Sequence, residues 1–136
     1  MSKLREWANR HGGIVFGFNT GFRLPDGSIA VPDASWLSRP RWDALTGAEK
    51  AGFAPLCPDA VFELPRRASD VPWLRGKMRA YITNGAKIAV LVDRHGRTVE
   101  VYRPGREPEI YAGPVAVPLD PELPDFVLDA RRLFER

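Results

Sequence analysis

Apolar residues first recur at helical spacing. Leu4, Trp7 and Ala8 share one face of residues 3–11, and Gly12-Gly13 stops the helix. Ile14-Val15-Phe16-Gly17-Phe18 then reads as a strand. Gly21-Phe22-Arg23-Leu24 reads as another, turned by Pro25-Asp26-Gly27. Ser28 to Leu37 is expected to pair back as one strand, with Asp33 in its middle. Between Arg39 and Gly52 the polar-rich spacing predicts one or two short helices, the second capped by Thr46.

Pro58 to Leu64 is apolar and strand-like, and ends on a carboxylate, Glu63. Burying an unpaired charge is expensive, so an acid there asks for a reason. A helix is predicted over 71–83, with Asp70 at its N-cap and Pro72 in its first turn. Its apolar stripe holds Trp73, Leu74, Met78, Tyr81 and Ile82, and Asn84-Gly85 closes it. Lys87 to Asp93 is the clearest buried strand. Strand, helix and strand in that order predict a right-handed crossover with the two strands parallel. His95-Gly96 turns a hairpin into Thr98–Tyr102, which alternates as a half-exposed antiparallel strand. Short strands follow around Ile110-Tyr111 and Val115–Val117, and Leu128 to Phe134 closes the chain as a helix or turn. The expected fold is α/β with a mixed sheet, in the order helix, three strands, helix, strand and a β-rich C-terminal extension.

The 136 residues suit one domain with a single core, assigned here to residues 1–136. With 44% hydrophobic and 27% charged residues, the composition is that of a soluble globular protein. A net charge of +3 permits a nucleic-acid partner without demanding one. No stretch reaches the ~18 apolar residues of a membrane span and none resembles a signal peptide, so the cytoplasm is the expected compartment. The single cysteine, Cys57, excludes an internal disulfide and a multi-cysteine zinc site. Thirteen prolines at element boundaries predict short elements with sharp corners.

Asp33 and Glu63 form the sharpest pair of candidates. Phosphodiester hydrolysis uses a divalent cation to polarise the phosphoryl group and to lower the pKa of a water. Mg²⁺ takes carboxylate and backbone oxygens, so one acid from each of two adjacent strands, with the Leu64 carbonyl, is a fitting set. Lys77, opening the amphipathic run that follows, could stabilise the phosphorane as a point charge. The plainer readings are two acids solvated at strand ends and an exposed helix lysine. Asp59 lies four residues before Glu63, ~13 Å along the strand, too far to share a cation, and reads as a structural cap. Arg66, Arg67, Arg75 and Arg79 form a basic patch that could hold DNA phosphates or merely solvate a helix face. His11 and His95 have no partner at metal or triad spacing. Cys57 reads as a packed small residue, and Trp36, Trp42 and Trp73 as core or its edge.

Longer motifs carry a resemblance. Gly21-Phe22-Arg23-Leu24-Pro25-Asp26-Gly27, Pro32-Asp33-Ala34-Ser35-Trp36 and Pro58-Asp59-Ala60-Val61-Phe62-Glu63-Leu64 are three of them. Tyr81-Ile82-Thr83-Asn84-Gly85-Ala86, Val99-Glu100-Val101-Tyr102-Arg103-Pro104-Gly105 and Leu123-Pro124-Asp125-Phe126-Val127-Leu128-Asp129 are others. Together they resemble the Uma-two family of bacterial restriction-endonuclease-like proteins, within the PD-(D/E)xK nuclease superfamily, along nearly the whole chain. The resemblance implies an α-β-β-β-α-β core, Asp33 as the motif aspartate and Glu63 as the second acid. Pro65 stands where the motif's lysine would be, and Lys77 matches the lysine that this family carries on the following helix. Where family members have a Ser-Pro-Ser-like turn, this chain has Pro65-Arg66-Arg67-Ala68-Ser69. An arginine there either aids phosphate binding or takes the cation's place in a dead site. Gly76, just before Lys77, costs its helix ~1 kcal/mol relative to alanine. Family members carry a longer N-terminal region with an additional acid on the first helix; here the first helix spans residues 1–11 and Glu6 is its sole acid, a departure from that pattern.

The leading expectation is therefore a DNA endonuclease dependent on Mg²⁺ or Mn²⁺, with Asp33, Glu63 and Lys77 at its centre. The resemblance also implies a homodimer, since two strands need two sites. The alternatives are a catalytically silent nuclease-like module that binds nucleic acid or a protein partner, and a structural α/β domain whose acids only cap.

Overall fold

The computed structural model describes residues 2–134. Helix α1 (Ser2–His11) leads into β1 (Ile14–Phe16), a two-strand ribbon of β2 (Phe22–Arg23) and β3 (Ile29–Ala30), and β4 (Ala34–Leu37). Two short helices, α2 (Arg39–Asp43) and α3 (Gly47–Ala51), precede β5 (Ala60–Glu63), α4 (Val71–Thr83) and β6 (Ile88–Asp93). The chain ends with β7 (Thr98–Tyr102), β8 (Glu109–Ala112), β9 (Ala116–Pro118), β10 (Val127–Asp129) and α5 (Ala130–Phe134). The expected α-β-β-β-α-β order is present as α1, β1, β4, β5, α4 and β6.

Six strands form a mixed sheet in the order β1-β4-β5-β6-β7-β8. Only β5 and β6, joined through α4, run parallel. Period-two alternation divides the side chains between two apolar clusters. Ala60, Phe62, Ile88, Val90, Val99 and Val101 face α1 and the C-terminal segment, where Leu4, Trp7, Leu119, Phe126 and Leu128 cover them. Val61, Ala89, Leu91 and Tyr102 face α4 and the ribbon, against Leu74, Met78, Tyr81 and Phe22. No helix among the described residues is long and apolar enough to cross a membrane.

Several elements differ from expectation for identifiable reasons. Ser28–Leu37 is two strands, because Pro32 lacks the N–H that a continuous ladder needs. Asp33 consequently stands just ahead of β4. Strand β7 is covered on both faces rather than half-exposed. Trp73 leaves the stripe of α4, whose buried positions are Val71, Leu74, Met78 and Tyr81. Asp70 has helical backbone angles and caps nothing, because the turn Ala68–Asp70 already winds into α4. Leu128 and Asp129 belong to β10, which pairs with β9. Thr46 does cap α3, in a reciprocal box with Glu49.

Candidate active site

Because β4 runs antiparallel to β5, with Ala34 opposite Phe62, the entrance of one strand adjoins the exit of the other. Asp33 and Glu63 therefore meet. The Asp33 N–H donates to Glu63 Oε1 at 3.4 Å, and the Leu64 N–H donates to Asp33 Oδ2 at 2.7 Å. Glu63 points to the face under α4, where Lys77 and Tyr81 stand one turn apart. Lys77 Nζ lies 2.9 Å from Glu63 Oε2, and the Tyr81 hydroxyl donates to the same oxygen at 2.7 Å. The structure thus brings Asp33, Glu63, Leu64 and Lys77 together.

Glu63 is only 4% exposed. Burial pushes its carboxyl above the ordinary carboxylate range, although Lys77 and Tyr81 both favour the anion and oppose the shift. Burial and the Glu63 charge drive the Tyr81 hydroxyl far above its usual range, so it remains a protonated donor. Lys77 also lies 5.4 Å from the Trp73 ring centroid and 5.6 Å from that of Tyr81, so aromatic faces hold its ammonium in place.

Among the described residues no group of three or more His, Cys, Asp or Glu side chains gathers as a metal cage. The oxygens present nevertheless suit a hard cation. Lys77 and Tyr81 occupy Glu63 Oε2, leaving Oε1 with only its long contact to the Asp33 N–H. Asp33 uses Oδ2 for Leu64, leaving Oδ1 without a hydrogen bond among the described residues. Mg²⁺ keeps several waters and commonly binds through one or two carboxylates.

The four arginines of the basic patch have different surroundings. Arg67 pairs with Asp70, and Arg75 makes a bidentate pair with the buried Glu100. Arg79 lies 5.6 Å from the Tyr102 ring centroid. Arg66 is exposed beside Asp33 and Leu64 on the wall of a cleft of about 1020 Å³. His95 Nε2 donates to the Arg66 carbonyl at 3.0 Å and so anchors this loop to the β6–β7 hairpin. Asp59, fully buried, accepts from the Ser38 N–H and from Arg41, each at 2.9 Å. Cys57 is packed inside, its thiol pushed up to about 11 by burial.

The sequence does not single out Tyr81, which reads as one more apolar position in a stripe. Its spacing of four from Lys77 is the signal that could have found it. Glu100 was also missed. It shares a row with Glu63, each opposite Leu91 from its own side, and takes Arg75 and the Tyr102 hydroxyl as Glu63 takes Lys77 and Tyr81. Glu6 of α1 lines the same cleft as Asp33 and Arg66, together with the cations Lys3, Arg94 and Arg132.

The sequence matches the Uma2 family, described as "Putative restriction endonuclease", over residues 1–131. A crystal structure of "a putative nuclease belonging to DUF820" from Anabaena variabilis is similar to the chain with a TM-score of 0.77 at 20% identity. The similarity covers 98% of this chain and 74% of that one, and shows the fold. No curated protein matches the chain. With the family matched along nearly its whole length, the chain belongs to the Uma2 restriction-endonuclease family.

Proposed function

From this membership, we propose that the protein is a metal-dependent DNA endonuclease of the PD-(D/E)xK type, with Asp33, Glu63 and the Leu64 carbonyl as Mg²⁺ or Mn²⁺ ligands. The observation that carries the reading is the 2.9 Å contact of Lys77, arriving from a helix, with a buried acid that adjoins Asp33. A bound divalent cation supplies phosphoryl polarisation and a hydroxide-like nucleophile. Asp33 and Glu63 supply the negative charge that holds it. The Leu64 N–H and the Tyr81 hydroxyl fix the two carboxylates by one oxygen each. Lys77 spends one donor on Glu63 and keeps the rest of its ammonium for the charge that builds on the phosphate oxygens.

Arg66 supports activity over a silent module, because it makes no ion pair with Asp33 or Glu63 among the described residues and faces the cleft as a phosphate-binding group. Plasmid DNA should be nicked in the presence of Mg²⁺ or Mn²⁺ and spared in EDTA. Asp33→Ala and Glu63→Ala should abolish cleavage, and Lys77→Ala should slow it on the order of 100-fold. Cleavage that persists in both acid variants would remove the site assignment.

A further inference from the structure

Two large apolar side chains beside the acids are left in solvent. Phe18, after β1, is 72% exposed and lines the cleft with Asp33 and Arg66. Trp73 is 68% exposed, with Lys77 Nζ over its ring. Contacts run from Asp33 to Glu63, from Glu63 to Lys77 and from Lys77 to the Trp73 ring, while Phe18 shares the cleft with Asp33, so an exposed ring stands on either side of the acids. The fold does not require either one, since α4 buries other positions and β1 ends before Phe18. Exposed aromatics gathered at one site are informative in a way that scattered ones are not.

The same cleft carries four cations from four separate elements: Lys3 from α1, Arg66 from the β5–α4 loop, Arg94 from the β6–β7 hairpin and Arg132 from α5. Lys3, Arg66 and Arg94 have no ion pair among the described residues and Arg132 has only the neighbouring charge of Asp129, whereas Arg41, Arg67, Arg75 and Arg103 are all paired. Glu6 and Asp129 are the acids that share the cleft with them and Asp33. Unpaired cations along a groove suit a phosphate backbone. Aromatic faces beside them suit bases that are not already stacked in a helix. A duplex would use the cations and leave Phe18 and Trp73 without partners.

We propose that the substrate reaches the acids as an unpaired DNA strand, with its phosphates on Lys3, Arg66, Arg94 and Arg132 and a base on Phe18 in the cleft, and continues past Lys77 to stack a second base on Trp73, which stands outside the cleft on α4. The assignment rests on the nuclease reading of the acids between the two rings and names its substrate class, so the plasmid that is nicked is supercoiled DNA, cut where its strands open.

Fluorescence anisotropy in EDTA with labelled oligo-dT and with a duplex of equal length tests it. Wild type should bind oligo-dT more tightly. Phe18→Ala and Trp73→Ala should each weaken oligo-dT by roughly tenfold or more and leave the duplex unchanged. Both side chains are exposed, and an unchanged melting midpoint verifies that the variants fold. Arg94→Gln and Arg132→Gln should each lower the log–log salt slope for oligo-dT by about 0.7. Absent oligo-dT binding, tighter duplex binding, or unchanged oligo-dT affinity in both aromatic variants would overturn the proposal even if plasmid cleavage holds. The expected oligo-dT losses with no metal-dependent cleavage of any DNA would support the strand assignment and sink the catalytic one.

Discussion

Glu63 illustrates how a single residue can be costly to the fold and yet stand at the centre of a proposed site. It accepts from Tyr81, pairs with Lys77 and meets the Asp33 N–H, yet burial still raises its pKa. A carboxyl whose folded pKa exceeds its unfolded one adds stability fully below the unfolded value, and that stability is lost as pH rises through the folded value. Glu63→Gln removes the titration. In metal-free protein, the variant's melting midpoint should therefore gain on wild type as pH rises from about 4 to about 8. A gap that is constant with pH would show that burial does not govern this group. The acid itself was legible, because a strand that ends on a charge is anomalous in one dimension. Tyr81 was not, because a tyrosine ring satisfies an apolar stripe equally well whatever its hydroxyl meets.

Helix α4 is the element that connects the two carboxylates of the row. Its expected bounds agree with Val71–Thr83, since Pro72 and Asn84-Gly85 punctuate it locally. Its orientation over Leu91 is not local. Arg75 reaches Glu100 on one side while Lys77 reaches Glu63 on the other. These two pairs fix the roll of the helix, and with it the position of the Lys77 ammonium. The Arg75–Glu100 pair is asymmetric, because Glu100 is buried and Arg75 is about half solvated. Arg75→Ala strands a buried carboxylate with only Tyr102 and should cost roughly 3–5 kcal/mol. Glu100→Gln leaves a solvated guanidinium and should cost about 1 kcal/mol. Urea unfolding of both variants gives the order, and equal losses would contradict it. Strand β7 has the alternation of a half-exposed strand and is buried for the same reason. Glu100 and Thr98 look like a solvent face until α4 is laid across them.

At the scale of the molecule, the two ends of the described chain close over one face of the sheet. The Trp7 indole donates to the Pro124 carbonyl at 2.7 Å, stacks on His11 and meets Trp36 and Phe126 edge-on. Gly13, at a positive φ of 87°, lies where a β-carbon would run into the Trp36 ring, so this corner admits only glycine. Through these contacts α1 is joined to the segment that leads into β10 and α5, and these elements form one wall of the cleft. Trp7→Ala should cost roughly 3–5 kcal/mol in unfolding free energy. It should also weaken oligonucleotide binding, since Lys3 and Arg132 would no longer be held at a common groove. Loss of stability with full affinity retained would show that the groove does not depend on this closure.

The sequence by itself determined the helix–strand order of the core and the parallel crossover through α4, and it offered Asp33 and Glu63 as candidates, with Lys77 added by the resemblance. The order and the crossover are set by short-range signals, proline and glycine punctuation with period-two and helical spacing, and the two acids stand out as charges in apolar runs. Only the tertiary structure decided which cations are already neutralised, which aromatics remain exposed and which acid shares the row with Glu63. Those properties depend on pairings between residues far apart in the chain, such as Arg75 with Glu100 and Trp7 with Pro124. Local pattern carries no record of such pairings, because the same arginine or tryptophan is compatible with solvent, an ion pair or a core until its neighbours are in place.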